Sequence, residues 1–329
     1  MSESKEKSVV ALQRALAKLG PGSVTVADVG ARWGAATSWF RMKPLAKLIG
    51  FEPDPVECQR LNESANQTQE RLFPVALGNH DGPATLYVTR EPACSSLFPP
   101  SQFMLARYQQ LRDLMEVERT VPVQLSRMAS WAAQAGIEQV DFIKLDTQGS
   151  ELDILTGADS LLDRCIGIEA ELMFSPLYEG QPLFSDVDQF LRSRGFTLWR
   201  IESLAHYSER PSGRLTGESD VHYDLKLVRH GSGDGRLRWA NVIYFRDREQ
   251  FRDSERDLLV LAALLEAAGD IDGSESCLRE ADRFSNPESL TNQFPLSPPG
   301  SSEASIPWVP IRLLRLMRYL FRRPQKQSA

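Results

Sequence analysis

The run Asp28-Val29-Gly30-Ala31-Arg32-Trp33-Gly34, followed by Phe51-Glu52-Pro53-Asp54, limits this chain more than any other feature. The first run closes an apolar, β-branched segment, Val24 to Val29, whose length fits a buried strand. Gly30 permits a tight turn and a close approach of the backbone, and Gly34 opens the following helix. A second apolar run, Leu45 to Phe51, ends on Glu52, about 20 residues after the first glycine. A carboxylate so placed can accept both hydroxyls of a ribose. The pairing describes one nucleotide-binding half of an α/β sheet, with a ribose compound at the carboxyl ends of parallel strands. The glycine turn alone is also compatible with a strand, turn and helix that bind nothing, and Glu52 weighs against that.

Which ribose compound is a question of space. A dinucleotide site has the pattern G-x-G-x-x-G, whose middle glycine makes room for a pyrophosphate. Here Arg32 stands at that position and crowds it. A ligand without a pyrophosphate, such as S-adenosylmethionine, suits the looser D-x-G-x-x-x-G.

The 329 residues, 42% of them hydrophobic, suffice for a full α/β core with an appendage. A net charge of -6 and a pI near 5.5 argue against a nucleic-acid binder. Cys58, Cys94, Cys165 and Cys277 are scattered without a C-x-x-C pair, which points away from a zinc site and towards a reducing compartment. The charged start, Met1 to Lys7, lacks the apolar core of a secretory signal, and no apolar run approaches the ~20 residues of a membrane span. These features predict a soluble, cytoplasmic protein.

Ser8 to Leu19 reads as an amphipathic helix, and strand and helix signals alternate from Val24 to about Gly195. Leu72 to Ala76 reads as the third strand, Thr85 to Thr89 as another, and Gln102 to Met115 as one helix. Val121 to Leu125 reads as an edge strand, because Pro122 cannot donate to a ladder. Val140 to Leu145 is the clearest core strand, ending on Asp146. Ile166 to Leu172 is the next, carrying Glu169 and Glu171. Phe196 to Ile201 follows, and Trp239 to Phe245 is antiparallel at the end of the sheet. The spacing predicts a domain over 1–248, a helical hairpin over 249–284, a disordered Ser/Pro/Asn-rich linker over 285–307 and a basic amphipathic helix over 308–323.

With these strands placed, the sequence resembles the FkbM family of S-adenosylmethionine-dependent methyltransferases. The resembling phrases are Asp28-Val29-Gly30-Ala31 through Gly34, Phe51-Glu52-Pro53-Asp54, and Ile143-Lys144-Leu145-Asp146-Thr147-Gln148-Gly149 running through Glu151 to Ala158. Ile168-Glu169, Pro176-Leu177-Tyr178-Glu179-Gly180 and Gly195-Phe196 complete them, so the likeness covers roughly Val24 to Phe245. It implies a class I methyltransferase sheet, Rossmann-like and mostly parallel with a reversed last strand, and methylation of a hydroxyl of a glycan, glycolipid or secondary metabolite. The family commonly has Asn where this chain has Arg32.

The resemblance and strand positions together assign roles. Gly30, Ala31 and Gly34 line the methionine half of the cofactor, with Asp28 supporting that loop, receiving the amino group through water, or capping the next helix. Glu52 takes the ribose, and Ala76 offers backbone beside the adenine. Asp146, at a strand tip, holds the cofactor ammonium or takes a substrate proton, or caps the helix after Gly149. Glu169 is its partner on the same rim. Lys144 and Glu151 read as a strand-edge residue and a first-turn charge, and His206 is an alternative base. Phe98, Phe103, Phe174, Tyr178 and Phe184 are either aromatic faces for an acceptor or ordinary core. Asp146 and Glu169 together read as base and orienter or as oxygen ligands for a divalent ion, and since the spacing of known metal loops is absent no metal is assigned. The 308–323 helix suits contact with an anionic membrane surface or a protein partner. Two rival readings are a nicotinamide-linked oxidoreductase, which Arg32 disfavours, and a non-catalytic module that recruits partners.

Overall fold

The computed structural model describes residues 10–32, 42–65, 69–202, 204–207 and 236–284. Trp33, Gly34, the 285–307 linker and the 308–323 helix lie outside the described residues. The chain divides into two compact units, one of residues 24–34 and 47–250, the other of residues 1–23, 35–46 and 251–329.

The strands, in chain order, are β1 (Val24–Val29), β2 (Ala46–Phe51), β3 (Glu70–Phe73), β4 (Ala76–Gly78), β5 (Gly82–Thr89), β6 (Val117–Arg127), β7 (Phe142–Leu145), β8 (Gly167–Met173), β9 (Phe196–Glu202), β10 (His206–Tyr207), β11 (Arg236–Leu237) and β12 (Trp239–Arg246). The helices are α1 (Val10–Leu19), α2 (Pro55–Ser64), α3 (Gln102–Arg107), α4 (Gln109–Met115), α5 (Met128–Ala135), α6 (Glu151–Ala158), α7 (Phe184–Ser193), α8 (Glu255–Ala267) and α9 (Ile271–Ala281).

Seven strands form one sheet in the order β3-β2-β1-β7-β8-β12-β9. The pairs β2–β3, β1–β7 and β7–β8 are parallel, and β12 runs antiparallel to both of its neighbours. This is the mostly parallel sheet with one reversed strand that the sequence implies. The reversed strand is last in the chain but does not end the sheet, because β9 takes the edge. Burial explains the insertion: seven of the eight β12 residues are buried, on both faces, whereas β9 is buried only at Phe196. A strand covered on both sides belongs inside a sheet.

Side chains alternate across these strands. Ala27 and Val29, Ile143 and Leu145, Ile168 and Ala170, and Val242 and Tyr244 share one face and pack with Met128 and Ala132 of α5, Ile154 and Leu155 of α6, and Val187 and Leu191 of α7. Each fully buried Leu or Ile there contributes about 1.5–3 kcal/mol. Asp28, Lys144 and Glu169, which are register partners, occupy the opposite face.

A second sheet, β4-β6-β5, carries the long β6 in its middle rather than at an edge. Pro122 is tolerated because β4 pairs only with Leu125–Arg127, leaving β5 as the one strand beside the proline. The apolar run Leu72 to Ala76 divides at Pro74, which cannot continue a ladder, so Ala76 begins β4 instead of ending β3. The run from Gln102 to Met115 breaks at Tyr108 into α3 and α4.

In the other unit α1 groups with the pair α8 and α9. Ser254 and Asp270 cap the two later helices through the Asp257 and Gly273 amides. The buried Glu266 carboxylate accepts from the Ala11 and Leu12 amides, satisfying two donors that the start of α1 cannot pair internally. Arg14, fully buried, pairs with Asp282, and Lys18 with Glu255 at 3.0 Å. Among the described residues no helix is long and apolar enough to cross a membrane.

Helix α6 and strand β4 approach each other closely. A Cβ added at Gly157 would lie 2.0 Å from the Gly78 carbonyl oxygen. Gly157→Ala must therefore push α6 off the small sheet, and overpacking of this kind costs about 1–3 kcal/mol. A lowered midpoint in chemical denaturation is the expected result; an unchanged midpoint would mean that the contact is slack.

Candidate active site

The site begins where β1 ends. Gly30, at φ +79°, turns the chain so tightly that a Cβ there would lie 2.0 Å from the Asp146 carbonyl oxygen. The Gly30 and Ala31 amides both donate to the Phe51 carbonyl, each at 3.1 Å, which binds the turn to the end of β2. The two amides that could have met a pyrophosphate are thereby spent. The next residue after Phe51 is Glu52, buried at 4% exposure. Among the described residues its Oε1 accepts the Asp54 amide at 2.9 Å, and no other hydrogen bond reaches the carboxylate. Asp54 itself caps α2 through the Val56 and Glu57 amides. Arg32 places Nη1 3.8 Å from Glu52 Oε1 and 3.7 Å from Asp54 Oδ2, close enough for charge and too far for a hydrogen bond.

Burial pushes the Glu52 carboxyl above its ordinary value. The Asp54 amide and then Arg32 pull it back, while the Asp54 and Glu57 carboxylates push it further up. A buried carboxylate with oxygen capacity to spare, beside a turn with no side chain at Gly30, fits a ribose. The residues present thus fit S-adenosylmethionine, whose ribose Glu52 would hold and whose amino-acid end the Gly30–Ala31 turn would leave room for.

Lys144 forms the bridge to the reacting end. The sequence reads it as a strand-edge residue, yet it is 4% exposed in the middle of the sheet. Its ammonium lies 3.1 Å from Asp28 Oδ1 and 3.8 Å from Asp146 Oδ2. Asp28 is therefore a buried partner of Lys144, and the segment that it would cap lies outside the described residues. Asp146 is no cap, since α6 starts after Ser150.

Beyond Asp146 the turn is built by side chains. Glu151, buried, accepts from the Thr147 and Gly149 amides and the Thr147 hydroxyl, so it closes the turn and is more than a first-turn charge. Gln148 takes φ +59°, a left-handed conformation unusual for a non-glycine residue. Its Nε2 donates to Asp146 Oδ1 at 3.3 Å and to Glu171 Oε1 at 3.2 Å. The buried Tyr178 hydroxyl lies 3.1 Å from Gln148 Oε1 and 2.8 Å from the Cys94 carbonyl, and Ser96 Oγ donates to the Gln148 carbonyl at 2.7 Å. The loop through Cys94 to Phe98 is thus pinned against this turn.

Glu169 lies one step lower than the sequence suggests. It is the third residue of β8, opposite Lys144, and the strand runs on to Met173. Glu171, two residues later on the same face, reaches the rim and shares Gln148 with Asp146. Sequence reading missed Glu171 and Gln148; the signal available was the i, i+2 spacing of the two acids. Glu202, on β9 across Asn241 from Glu171, extends the acidic row. Burial raises its carboxyl and Glu169 adds to this, with Arg200 opposing. Ala76 lies in β4 opposite Leu125. Phe174 and Phe184 pack on each other at 5.0 Å against the main core, Tyr178 is fully buried, and Phe103 is exposed. His206 falls in β10. Among the described residues no group of three or more potential ligands could hold a metal ion.

Lys144→Met leaves Asp28 buried beside no ammonium and should cost about 3–5 kcal/mol. Adding Asp28→Asn should recover part of that loss in thermal unfolding, and strict additivity would dissolve the pair. Glu52→Gln should weaken S-adenosylhomocysteine binding about 10- to 150-fold, from about 1.5–3 kcal/mol for a hydrogen bond to a charged group. Because burial raises the Glu52 carboxyl, affinity should fall as pH drops through that raised value, where proton and ribose compete. Calorimetry across pH reads both, and pH-independent affinity would separate Glu52 from the ligand.

A family model, the methyltransferase FkbM domain, matches residues 28–198. The 2-O-methyltransferase NoeI of Sinorhizobium fredii (strain NBRC 101917 / NGR234) is 30% identical over 172 residues, 50% of this chain and 69% of its own length. Methyltransferase 1 of Beauveria bassiana (strain ARSEF 2860) is 23% identical over 192 residues, 54% of this chain and 74% of its own. The magnesium protoporphyrin IX methyltransferase of Synechocystis PCC 6803 is 12% identical, covering 74% of this chain and 78% of its own, at a TM-score of 0.35. The family match extends from the Asp28 turn past Glu52 and the Asp146–Gly149 turn, and it decides for a methyl donor over nicotinamide. The chain belongs to the FkbM family of S-adenosylmethionine-dependent methyltransferases.

Proposed function

We propose that the chain methylates oxygen, and that its acceptor is a hydroxyl of a glycan, glycolipid or secondary metabolite. The observation that carries this reading is the pair of carboxylates, Asp146 and Glu171, held on one rim by the Gln148 amide. Bound S-adenosylmethionine supplies a methyl group already activated on a sulfonium. The chain therefore has to position the acceptor in line, exclude water and remove one proton. A neutral hydroxyl attacks poorly while it keeps that proton, and a placed base contributes about 10²–10⁴-fold. An oxygen of the Asp146–Glu171 pair accepts the proton, and Gln148 keeps the two carboxylates turned towards each other's acceptor. The name of the relative NoeI, a 2-O-methyltransferase, supports oxygen as the methylated atom.

The loop ending at Phe98, tied to Gln148 through Ser96, forms one wall of the acceptor side. Phe103, 65% exposed on α3, offers an aromatic face to a sugar ring or a similar scaffold. The segment 308–323 brings a cytoplasmic enzyme to an anionic membrane surface or a protein partner.

The test is transfer of labelled methyl to oligosaccharides and matched acceptors whose hydroxyl is replaced by hydrogen, amine or thiol. Hydroxyl acceptors alone should be labelled, and Glu171→Gln should lower kcat about 10²–10⁴-fold while S-adenosylhomocysteine affinity holds. Transfer to amines would remove the O-methylation reading, and full activity of Glu171→Gln would remove Glu171 as the base. Cofactor binding with no transfer to any acceptor would favour a non-catalytic module.

A further inference from the structure

Arg32 follows the Gly30–Ala31 turn, at the position where a dinucleotide site has its middle glycine. The two preceding amides are bonded to the Phe51 carbonyl, which places Arg32 beside the end of β2. Its guanidinium is partly exposed and faces Glu52 and Asp54 without hydrogen-bonding either. The Asp54 half of this contact is solvent-exposed and worth about 0–1 kcal/mol, whereas Glu52 is buried, so Arg32 leaves Glu52 only as another partner replaces it.

S-adenosylmethionine carries one anionic group, the carboxylate of its amino-acid end. A glycine turn commonly meets such a group with its own amides. Here the Gly30 and Ala31 amides are already taken. Lys144, the other cation near the turn, is committed to Asp28 and Asp146. Among the described residues that leaves the Arg32 guanidinium, whose planar fork matches a carboxylate in two parallel hydrogen bonds.

We propose that Arg32 is an exchanging counter-ion. In the ligand-free chain it balances Glu52 and Asp54, and with cofactor bound it turns to carry the cofactor carboxylate while the ribose takes Glu52. This rests on the assignment of Glu52 to the ribose. Arg32 is thereby a specificity residue, because it makes the amino-acid end, and not the nucleoside, the part that the loop recognises. The exchange also couples to titration at Glu52, whose charged neighbours are Arg32, Asp54 and Glu57, with the Cys58 thiol beside it.

Two ligands separate the contributions: S-adenosylhomocysteine, which has the carboxylate, and 5′-methylthioadenosine, which keeps adenine and ribose but lacks it. In calorimetry Arg32→Ala should weaken the first at least tenfold and leave the second unchanged or tighter, since the ribose no longer competes with a guanidinium for Glu52. Arg32→Lys, which keeps the charge and loses the fork, should fall between. The pH at which affinity falls should rise in Arg32→Ala, because Arg32 helps to keep Glu52 ionised. Equal losses for both ligands, or no loss for S-adenosylhomocysteine, would overturn the exchange. Glu52→Gln keeps the two claims apart: it should weaken both ligands, and if it weakens neither, the ribose assignment fails and the exchange with it, whereas the contact of Arg32 with the carboxylate is read by Arg32→Ala alone. Should Arg32→Ala fold poorly, Arg32→Gln gives the same comparison.

Discussion

The Lys144 ammonium, buried between Asp28 and Asp146, is the interaction on which the site depends. It joins the ends of β1 and β7, the two central strands whose tips carry the glycine turn and the Asp146 turn. The Asp28 carboxylate could not otherwise occupy that interior, because it would lose its hydration without compensation. Removing the cation is therefore expected to disturb both turns together. The close approach of Gly30 to the Asp146 backbone depends on the same arrangement, since no side chain fits between them.

From that bridge the site extends in two directions. Towards β2 it meets a buried acid, Glu52, tied by backbone to the same turn. Towards β8 it meets Gln148, whose left-handed conformation is held by contacts with Asp146, Glu171, Ser96 and the Tyr178 hydroxyl. Strain of this kind persists only where the surroundings over-determine it. The result is a line of polar groups from Glu52 to the rim carboxylates, set on strand ends rather than on free loops.

How much of this the sequence disclosed follows from the physics of each element. The strands β1, β7 and β8 were legible as short apolar runs between turn residues, and Glu52 by its distance from Gly30. Lys144 was misread because a lysine inside a buried parallel strand is rare, and its partner Asp28 lies 116 residues away in sequence. Glu169 was preferred to Glu171 because both share a face, and only the true end of the strand tells which reaches the rim. The place of β12 inside the sheet depends on burial of both its faces, which a pattern of alternating residues does not distinguish from an edge. The split at Pro74 was open to a reader of proline, but the second sheet it creates is a matter of long-range pairing with β6.

The central claim is that one cofactor lies along the line from Glu52 over the Gly30 turn to Asp146. Hydrogen exchange of the intact chain, with and without S-adenosylhomocysteine, addresses it directly. The account predicts slowed exchange in three segments, around residues 28–32, 51–57 and 146–151, with the β5–β6 ribbon unaffected. Protection confined to other parts of the chain, or none at saturating ligand, would contradict it.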